Sequence, residues 1–383
     1  MNDSPSMSDA MTKVDGFDPY VSQTSNDAGS GPDRAPAFTV GRDDADTSYA
    51  LRVSDVGKAY TSGFRLHDIT FDLPKGYIMG LIGPNGAGKS TLIKLILNMV
   101  HRDCGSVEVL GLDCVADEIE IKQQLGIVFD TSYFPEYWKV DTVCAAFSKV
   151  YDGFDRSVFD GYVRRFDIDP KKRVKDLSRG MQMKLMLAGA LSHDAKLLIL
   201  DEPTSGLDVL ARDELMDILS QYIGDGERSV LFSTHVTSDL ERSADFITYI
   251  TDGTIFYSGP KDEFTDGFYL VKGAPEDLAG IQEMALGVHR YPTGFDALVQ
   301  AEHINRVPGS GYIIEPVNID DIIRLTNPRG EGSLRDESSR RGNSLNESSR
   351  IGSSCRAFPE SAIQEKSTER RDDDGSDTQG FVH

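Results

Sequence analysis

Gly83-Pro84-Asn85-Gly86-Ala87-Gly88-Lys89-Ser90-Thr91 is the stretch that decides the fold. It fits G-x-x-x-x-G-K-[ST], and its flanks fit as well. The mostly apolar run Tyr77-Ile78-Met79-Gly80-Leu81-Ile82 precedes it, and the helix-like Leu92-Ile93-Lys94-Leu95-Ile96-Leu97 follows. Glycines lack Cβ atoms, so successive backbone N–H groups can curl around phosphate oxygens. The helix start adds unpaired N–H groups and a dipole that favour negative charge. Lys89 then supplies a point charge to the β and γ phosphates, and the Ser90 hydroxyl is placed to ligate Mg²⁺. A glycine-rich turn matching by chance is the competing reading, and the strand, the lysine and the serine together weigh against it. Alone, the loop points to a nucleoside triphosphate and no further, because kinases, GTPases and helicases carry it too.

Working outward, Leu197-Leu198-Ile199-Leu200 predicts a buried strand that delivers Asp201 and Glu202 at its carboxyl end. Ligands bind at that end of a parallel sheet. Adjacent strand residues point in opposite directions, so the two carboxylates take different jobs: Asp201 in the Mg²⁺ shell, Glu202 orienting and deprotonating the attacking water. An acidic strand-to-loop cap explains one such carboxylate but not the pair together with the phosphate loop. Val230-Leu231-Phe232 predicts a further buried strand. Upstream, the alternation of Leu51, Val53, Leu66, Ile69, Phe71 and Leu73 predicts antiparallel strands with one buried face. Residues 140–193 read as mostly helical, and Asp252-Gly253 reads as the turn of a hairpin. Residues 261–327 read as a small α+β appendage, with PEDLAG and NIDDIIRL as its helices.

The whole chain has 383 residues, 40 Lys+Arg against 62 Asp+Glu, and a net charge of −22. So acidic a chain is repelled by phosphate backbones and anionic bilayers, and no local basic stripe offsets this; nucleic acid is excluded as a general partner. The 39% hydrophobic content is ample for a large core. No apolar run reaches the roughly 18 residues of a membrane span, and the start lacks the charged and apolar regions of a signal peptide. Cys104, Cys114, Cys144 and Cys355 form no CxxC pair and read as reduced thiols of an intracellular protein. Residues 1–47 and 328–383 are polar, aperiodic and expected to be disordered. The second of these carries a degenerate duplication, Ser333–Gly342 and Ser344–Gly352, read as a solvated extension in preference to a phosphorylation or docking segment.

Three further segments complete a pattern: Leu177-Ser178-Arg179-Gly180-Met181-Gln182, Thr204-Ser205-Gly206-Leu207-Asp208 and Ser233-Thr234-His235. With them, residues 50–260 resemble the ATP-binding cassette (ABC) ATPases, most closely the ATP-binding subunits of ABC transporters. The resemblance implies an α/β P-loop NTPase cassette at 48–260, with an antiparallel β subdomain and a helical signature subdomain, followed by the appendage at 261–327. It implies that Gly83, Pro84, Asn85, Gly86, Ala87, Gly88, Lys89, Ser90 and Thr91 are the Walker A loop, and that Leu200, Asp201 and Glu202 close Walker B. It gives Ser178 and Gly180 to the signature loop, which in the family contacts the γ-phosphate held by an opposite subunit. Asp208 matches the loop that communicates across that interface, and His235 the switch histidine that contacts the γ-phosphate. A capping or core histidine is the plain alternative for His235, but its place between a strand and SDLERSADF matches the family. Tyr60 stands where an aromatic stacks on adenine; a half-buried strand residue is the equal alternative.

Two segments depart from the family. Asp130, after Leu125-Gly126-Ile127-Val128-Phe129, replaces a usual glutamine and reads as a Mg²⁺-shell ligand, or as a surface aspartate if the alignment shifts. Arg179 and Met181 replace the usual Gly and Gln of the signature, while Ser178 and Gly180 remain. The aromatic stretch Thr131–Trp138 reads either as an anchor for a membrane partner or as core of the helical insert.

The resemblance thus implies a Mg²⁺-dependent ATPase that powers a transporter, with a separate transmembrane permease and a second cassette, a copy of this chain, as partners. It implies a cytoplasmic location, peripheral on the inner face of the cell membrane, and export of a drug, antibiotic or peptide in preference to import. A soluble ABC ATPase without a transporter is the alternative. One cassette is present rather than two, and the 89 residues from Lys89 to Ser178 carry no sustained heptads of a long coiled coil.

Overall fold

The computed structural model describes residues 48–327. The two extensions expected to be disordered, with the duplicated serine segment, lie outside the described residues. The alternating segment forms β1 (Tyr49–Ala59) and β2 (Arg65–Pro74), antiparallel, with Leu51 opposite Leu73 and Val53 opposite Phe71. Next, β3 (Ile78–Ile82) is buried at every position and runs into the phosphate loop, and α1 (Lys89–Ile96) begins on the loop's lysine. The chain returns to the first sheet in β4 (Cys104–Val109) and β5 (Leu112–Asp113), then passes through α2 (Glu118–Gln123) into β6 (Leu125–Val128). The helical insert is α3 (Val140–Val150), α4 (Arg156–Arg165) and α5 (Arg179–Ala190).

The core resumes with β7 (Leu197–Asp201), α6 (Val209–Tyr222), β8 (Ser229–Thr234), α7 (Thr237–Ser243), β9 (Phe246–Thr251) and β10 (Thr254–Pro260). The turn between the last two strands has Asp252 at φ 47° and Gly253 at φ 77°, the left-handed pair that Asp-Gly supplies for a two-residue hairpin. The appendage comprises α8 (Lys261–Asp266), β11 (Phe268–Gly273), β12 (Ala285–Tyr291), β13 (Gly294–Gln300), β14 (Tyr312–Pro316) and α9 (Ile319–Thr326).

Three sheets result: β2-β1-β4-β5, the central β10-β9-β3-β8-β7-β6, and β12-β13-β11-β14. In the central sheet β9, β3, β8, β7 and β6 are parallel. Ile82 lies opposite Thr234, Ser233 opposite Asp201, and Leu200 opposite Val128. Four carboxyl ends therefore stop at one level. The strands are continuous apolar runs because alternate residues enter different cores. Leu197 and Ile199 point to the side packed by β1, β2 and α1. Leu198 and Leu200 point to the side packed by the helical insert and α6.

The appendage is not an isolated lump. Phe264, Phe268, Leu270 and Leu298 join the same core as Phe232 and Tyr249. Ile319, Ile322 and Leu325 of α9 join it too, at helical spacing. Asn318 caps that helix by accepting from the Asp321 N–H at 2.8 Å. Val271, Phe295, Ala297 and Val299 form a small core of the appendage's own. PEDLAG is a short 3₁₀ turn and not an α-helix, and the hairpin of β12 and β13 has no counterpart in the sequence reading.

One further expectation is corrected. Cys104 is disulfide-bonded and is not a reduced thiol; Cys114 and Cys144 are buried and free, and Cys355 lies outside the described residues. No helix among the described residues is long and apolar enough to cross a membrane.

Candidate functional site

The phosphate loop connects β3 to α1 through backbone that only glycine permits at two points. A Cβ on Gly83 would stand 2.1 Å from the Ile250 carbonyl oxygen, so the start of the loop abuts β9 directly. Gly88 has φ 114°, and a Cβ there would meet Leu66 Cδ2 at 2.5 Å. The loop thus curls tightly against the first sheet. Lys89 is buried, and its Nζ donates to the Gly83 carbonyl oxygen at 2.8 Å, across the mouth of the curl. Asn85, Gly86 and Ser90 are exposed along the same rim.

The two carboxylates separate at the end of β7, which stops at Asp201 and leaves Glu202 in a bend beyond the strand. Asp201 is buried, and its Oδ1 accepts from the Ser233 hydroxyl at 2.6 Å. The same Ser233 Oγ accepts from the Glu202 N–H at 2.9 Å, so one side chain on neighbouring β8 fixes both acidic residues. Glu202 sits at φ 50°, a left-handed conformation that costs a non-glycine residue about 1 kcal/mol or more. That backbone turns its carboxylate toward the phosphate loop. Glu202 Oε1 lies 3.5 Å from Lys89 Nζ, and Oε2 lies 2.6 Å from His235 Nδ1. An ionised carboxylate only accepts, so His235 Nδ1 carries the hydrogen of that bond. A cation and an imidazole therefore hold Glu202 from two sides.

These groups surround a cleft of about 530 Å³, within the range of small-molecule sites. Its lining includes Pro84, Asn85, Gly86 and the run Gly88 to Thr91 from the phosphate loop. Asp130, Glu202 and His235 enter from the ends of β6, β7 and β8. Phe64, Arg179 and Ser205 complete the wall. Gly83, Ala87 and Asp201 are buried and do not line the cleft. Tyr60 is outside the lining; its ring lies 6.2 Å from that of Phe64, which occupies the wall instead. The sequence held a signal for Phe64, a second aromatic in the turn between β1 and β2, but no periodicity singles it out.

Comparison with known proteins adds to this geometry. Residues 66–205 match the family described as ABC transporter. The chain is 30% identical over 207 residues to the lantibiotic transport ATP-binding protein SrtF of Streptococcus pyogenes, covering 54% of this chain and 88% of that one. It is 32% identical over 209 residues to Nod factor export ATP-binding protein I of Rhizobium leguminosarum bv. viciae, covering 53% of this chain and 67% of that one. A solved structure of the ATP-binding subunit of an ABC transporter matches with a TM-score of 0.52 at 27% identity, over 56% of this chain and 91% of that one. The chain belongs to the ABC transporter ATP-binding family. It is an ATP-binding, ATP-hydrolysing subunit that powers an ABC transporter.

Ser178 and Gly180, expected in the signature loop, do not line the subunit's own cleft, although Arg179 between them does. Ser178 caps α5, its hydroxyl accepting from the Met181 N–H at 3.2 Å. Gly180 follows in the first turn, where a Cβ would meet Leu207 Cδ2 at 3.1 Å. Asp208 caps α6, accepting from the Ala211 N–H at 2.8 Å. The aromatic stretch after Asp130 divides: Phe134 and Trp138 pack into the core, while Tyr133 and Tyr137 are exposed.

The donor set of this ABC cassette fits Mg²⁺ bound with nucleotide. Among the described residues no group of three or more His, Cys, Asp or Glu side chains forms a cage. The cleft offers the exposed Ser90 hydroxyl and the Asp130 carboxylate, while Asp201 is buried at the end of β7 and outside the lining. Mg²⁺ characteristically takes one or two protein oxygens and completes its shell with phosphates and water.

Proposed function

We propose that the cleft between the phosphate loop and Glu202 is the site of MgATP hydrolysis, with Glu202 as general base, Lys89 on the β and γ phosphates, and His235 on the γ-phosphate. The observation that carries this is the convergence of Lys89 and His235 on Glu202, at 3.5 Å and 2.6 Å, from beyond the ends of the neighbouring strands β3, β8 and β7. Gly83 to Thr91 would cradle the phosphates through backbone N–H groups, and Phe64 or Tyr60 would flank the base. Ser90 and Asp201 would hold Mg²⁺, which when bound supplies charge neutralisation at the phosphates. Glu202 then accepts the proton of the attacking water while Lys89 offsets charge on the leaving phosphates. His235 Nδ1 stays committed to Glu202, so Nε2 is the nitrogen available to a phosphate oxygen, and it donates there only as imidazolium.

The exposed signature turn and the Asp208 cap support a sandwich in which Ser178 and Gly180 of a second copy of this chain complete the site. A separate transmembrane permease would receive the motion, with this subunit on the cytoplasmic face of the membrane. Relatives named for lantibiotic transport and Nod factor export favour an exporter. On the division proposed at residues 48–260 and 261–327, all of this chemistry would fall in the first part.

Glu202→Gln tests the reading. With Mg²⁺ and ATP the variant should bind nucleotide, lose roughly 10²–10⁴ of turnover and accumulate a dimer by light scattering. A variant that turns over normally, or that stays monomeric while saturated with ATP, defeats it.

A further inference from the structure

Arg179 stands in a place that a signature residue acting only on a mate does not explain. It is the first residue of α5, yet it lines the cleft of its own subunit. Its guanidinium lies 3.4 Å from the Asp130 carbonyl oxygen and 3.9 Å from Asp130 Oδ2. Its stem runs over Gly206, where an added Cβ would stand 3.5 Å from Arg179 Cδ. Three segments meet at this rim: the one leaving β6, the first turn of α5, and the loop after β7.

The charges lining the cleft explain what the contact does. Lys89 faces Glu202 and Arg179 faces Asp130, so each carboxylate in the wall is matched by one cation. A triphosphate entering the cleft is repelled by any unmatched carboxylate there. Asp130 is about half exposed, and without Arg179 its charge would stand open to the nucleotide.

We propose that Arg179 is a positioning residue that acts in cis, neutralising Asp130 and pinning the segment after β6 to the start of α5 for nucleotide binding. The inference rests on the assignment of this cleft as the ATP site. It makes the two departures from the family pattern one compensated pair. Asp130 is then committed to an arginine and is not principally a metal ligand.

The test is equilibrium binding of ATP to the full-length chain, in Mg²⁺ and in EDTA, for wild type, R179G, D130Q, the double variant and R179K. Both side chains are more than half exposed, and matched melting curves control for folding. R179G should weaken ATP binding about threefold to fivefold, the range of an exposed ion pair, with the loss shrinking at high salt. In the D130Q background the same substitution should cost less than about half of that, and R179K should restore most of the wild-type affinity. The pattern should hold with and without Mg²⁺. Equal losses in both backgrounds would mean that Arg179 meets the phosphate directly, and overturn the pairing. A D130Q effect confined to Mg²⁺ would mark Asp130 as a metal ligand, and overturn it too. Effects on dimer formation with unchanged binding would place Arg179 in trans, again against the proposal. Failure of the site assignment would look different: wild type and Lys89→Ala would bind ATP alike.

Discussion

The central sheet and the appendage sheet are built from similar material, short apolar strands over a shared core, yet only one gathers chemistry. In the central sheet parallel strands bring the phosphate loop, Asp130, Asp201, Glu202 and His235 to a single edge. In β12-β13-β11-β14 the neighbours are antiparallel, so successive strand ends alternate between opposite edges. Its charges are used up locally: Lys272 pairs with Glu315 at 2.6 Å, and Arg324 with Asp296 at 3.1 Å. Strand direction, more than composition, decides where a site can assemble.

If that contrast is right, substitutions in the two regions separate cleanly into loss of activity and loss of stability. After Glu202→Gln, the largest effect belongs to Lys89→Ala, which should cut turnover by roughly 10²–10³ through the missing phosphate contact and leave the melting temperature nearly unchanged. A steady-state ATPase assay beside a melting curve reads both. Ile322→Ala, in α9, should do the reverse. Ile322 is fully buried, so its truncation should cost about 2–5 kcal/mol of stability with little change in KM for ATP, measured by denaturant unfolding and ATPase kinetics. An unchanged stability would mean that the appendage is only loosely attached.

A smaller effect probes the joint between the regions. Tyr249 on β9 bonds through its hydroxyl to Thr326 Oγ1 at 2.8 Å, and Thr237 on α7 donates to Asp320 at 2.8 Å. Tyr249→Phe should cost about 1 kcal/mol, and the same loss should appear in a chain already carrying Thr326→Val only in part. The weakest expected effect is one of pH. His193 sits between α5 and β6, stacked on Tyr151 at 3.9 Å, and burial pushes its imidazole below the ordinary histidine range. The unfolded chain takes up a proton that the folded ring refuses, so this histidine's contribution is present at neutral pH and falls as pH drops through about 6.5. His193→Gln should flatten the acid limb of the stability profile; an unaltered limb would show that other groups set it.

How far the sequence was legible follows the same division. The phosphate loop announced itself because its function constrains consecutive residues, and buried parallel strands announced themselves as unbroken apolar runs. Asp130 was singled out as the residue at the family's usual glutamine position after β6, and the cleft does include it. Phe64 and the placement of Arg179 were not found, because each enters the cleft from a segment distant in sequence, and no local period records such a meeting. The β12–β13 hairpin was missed for a related reason: its residues serve a small core of long-range contacts without a clean alternation.

The sequence by itself determined the order of the cassette's main blocks, the phosphate loop, the acidic strand end and the family, since each rests on residues near one another along the chain. Only the tertiary structure decided that Ser233 holds Asp201 and Glu202 together, that Glu202 lies between Lys89 and His235, and that Arg179 turns toward Asp130. Those are contacts between separate strands and helices, fixed by sheet register and packing, and no stretch of sequence read alone contains them.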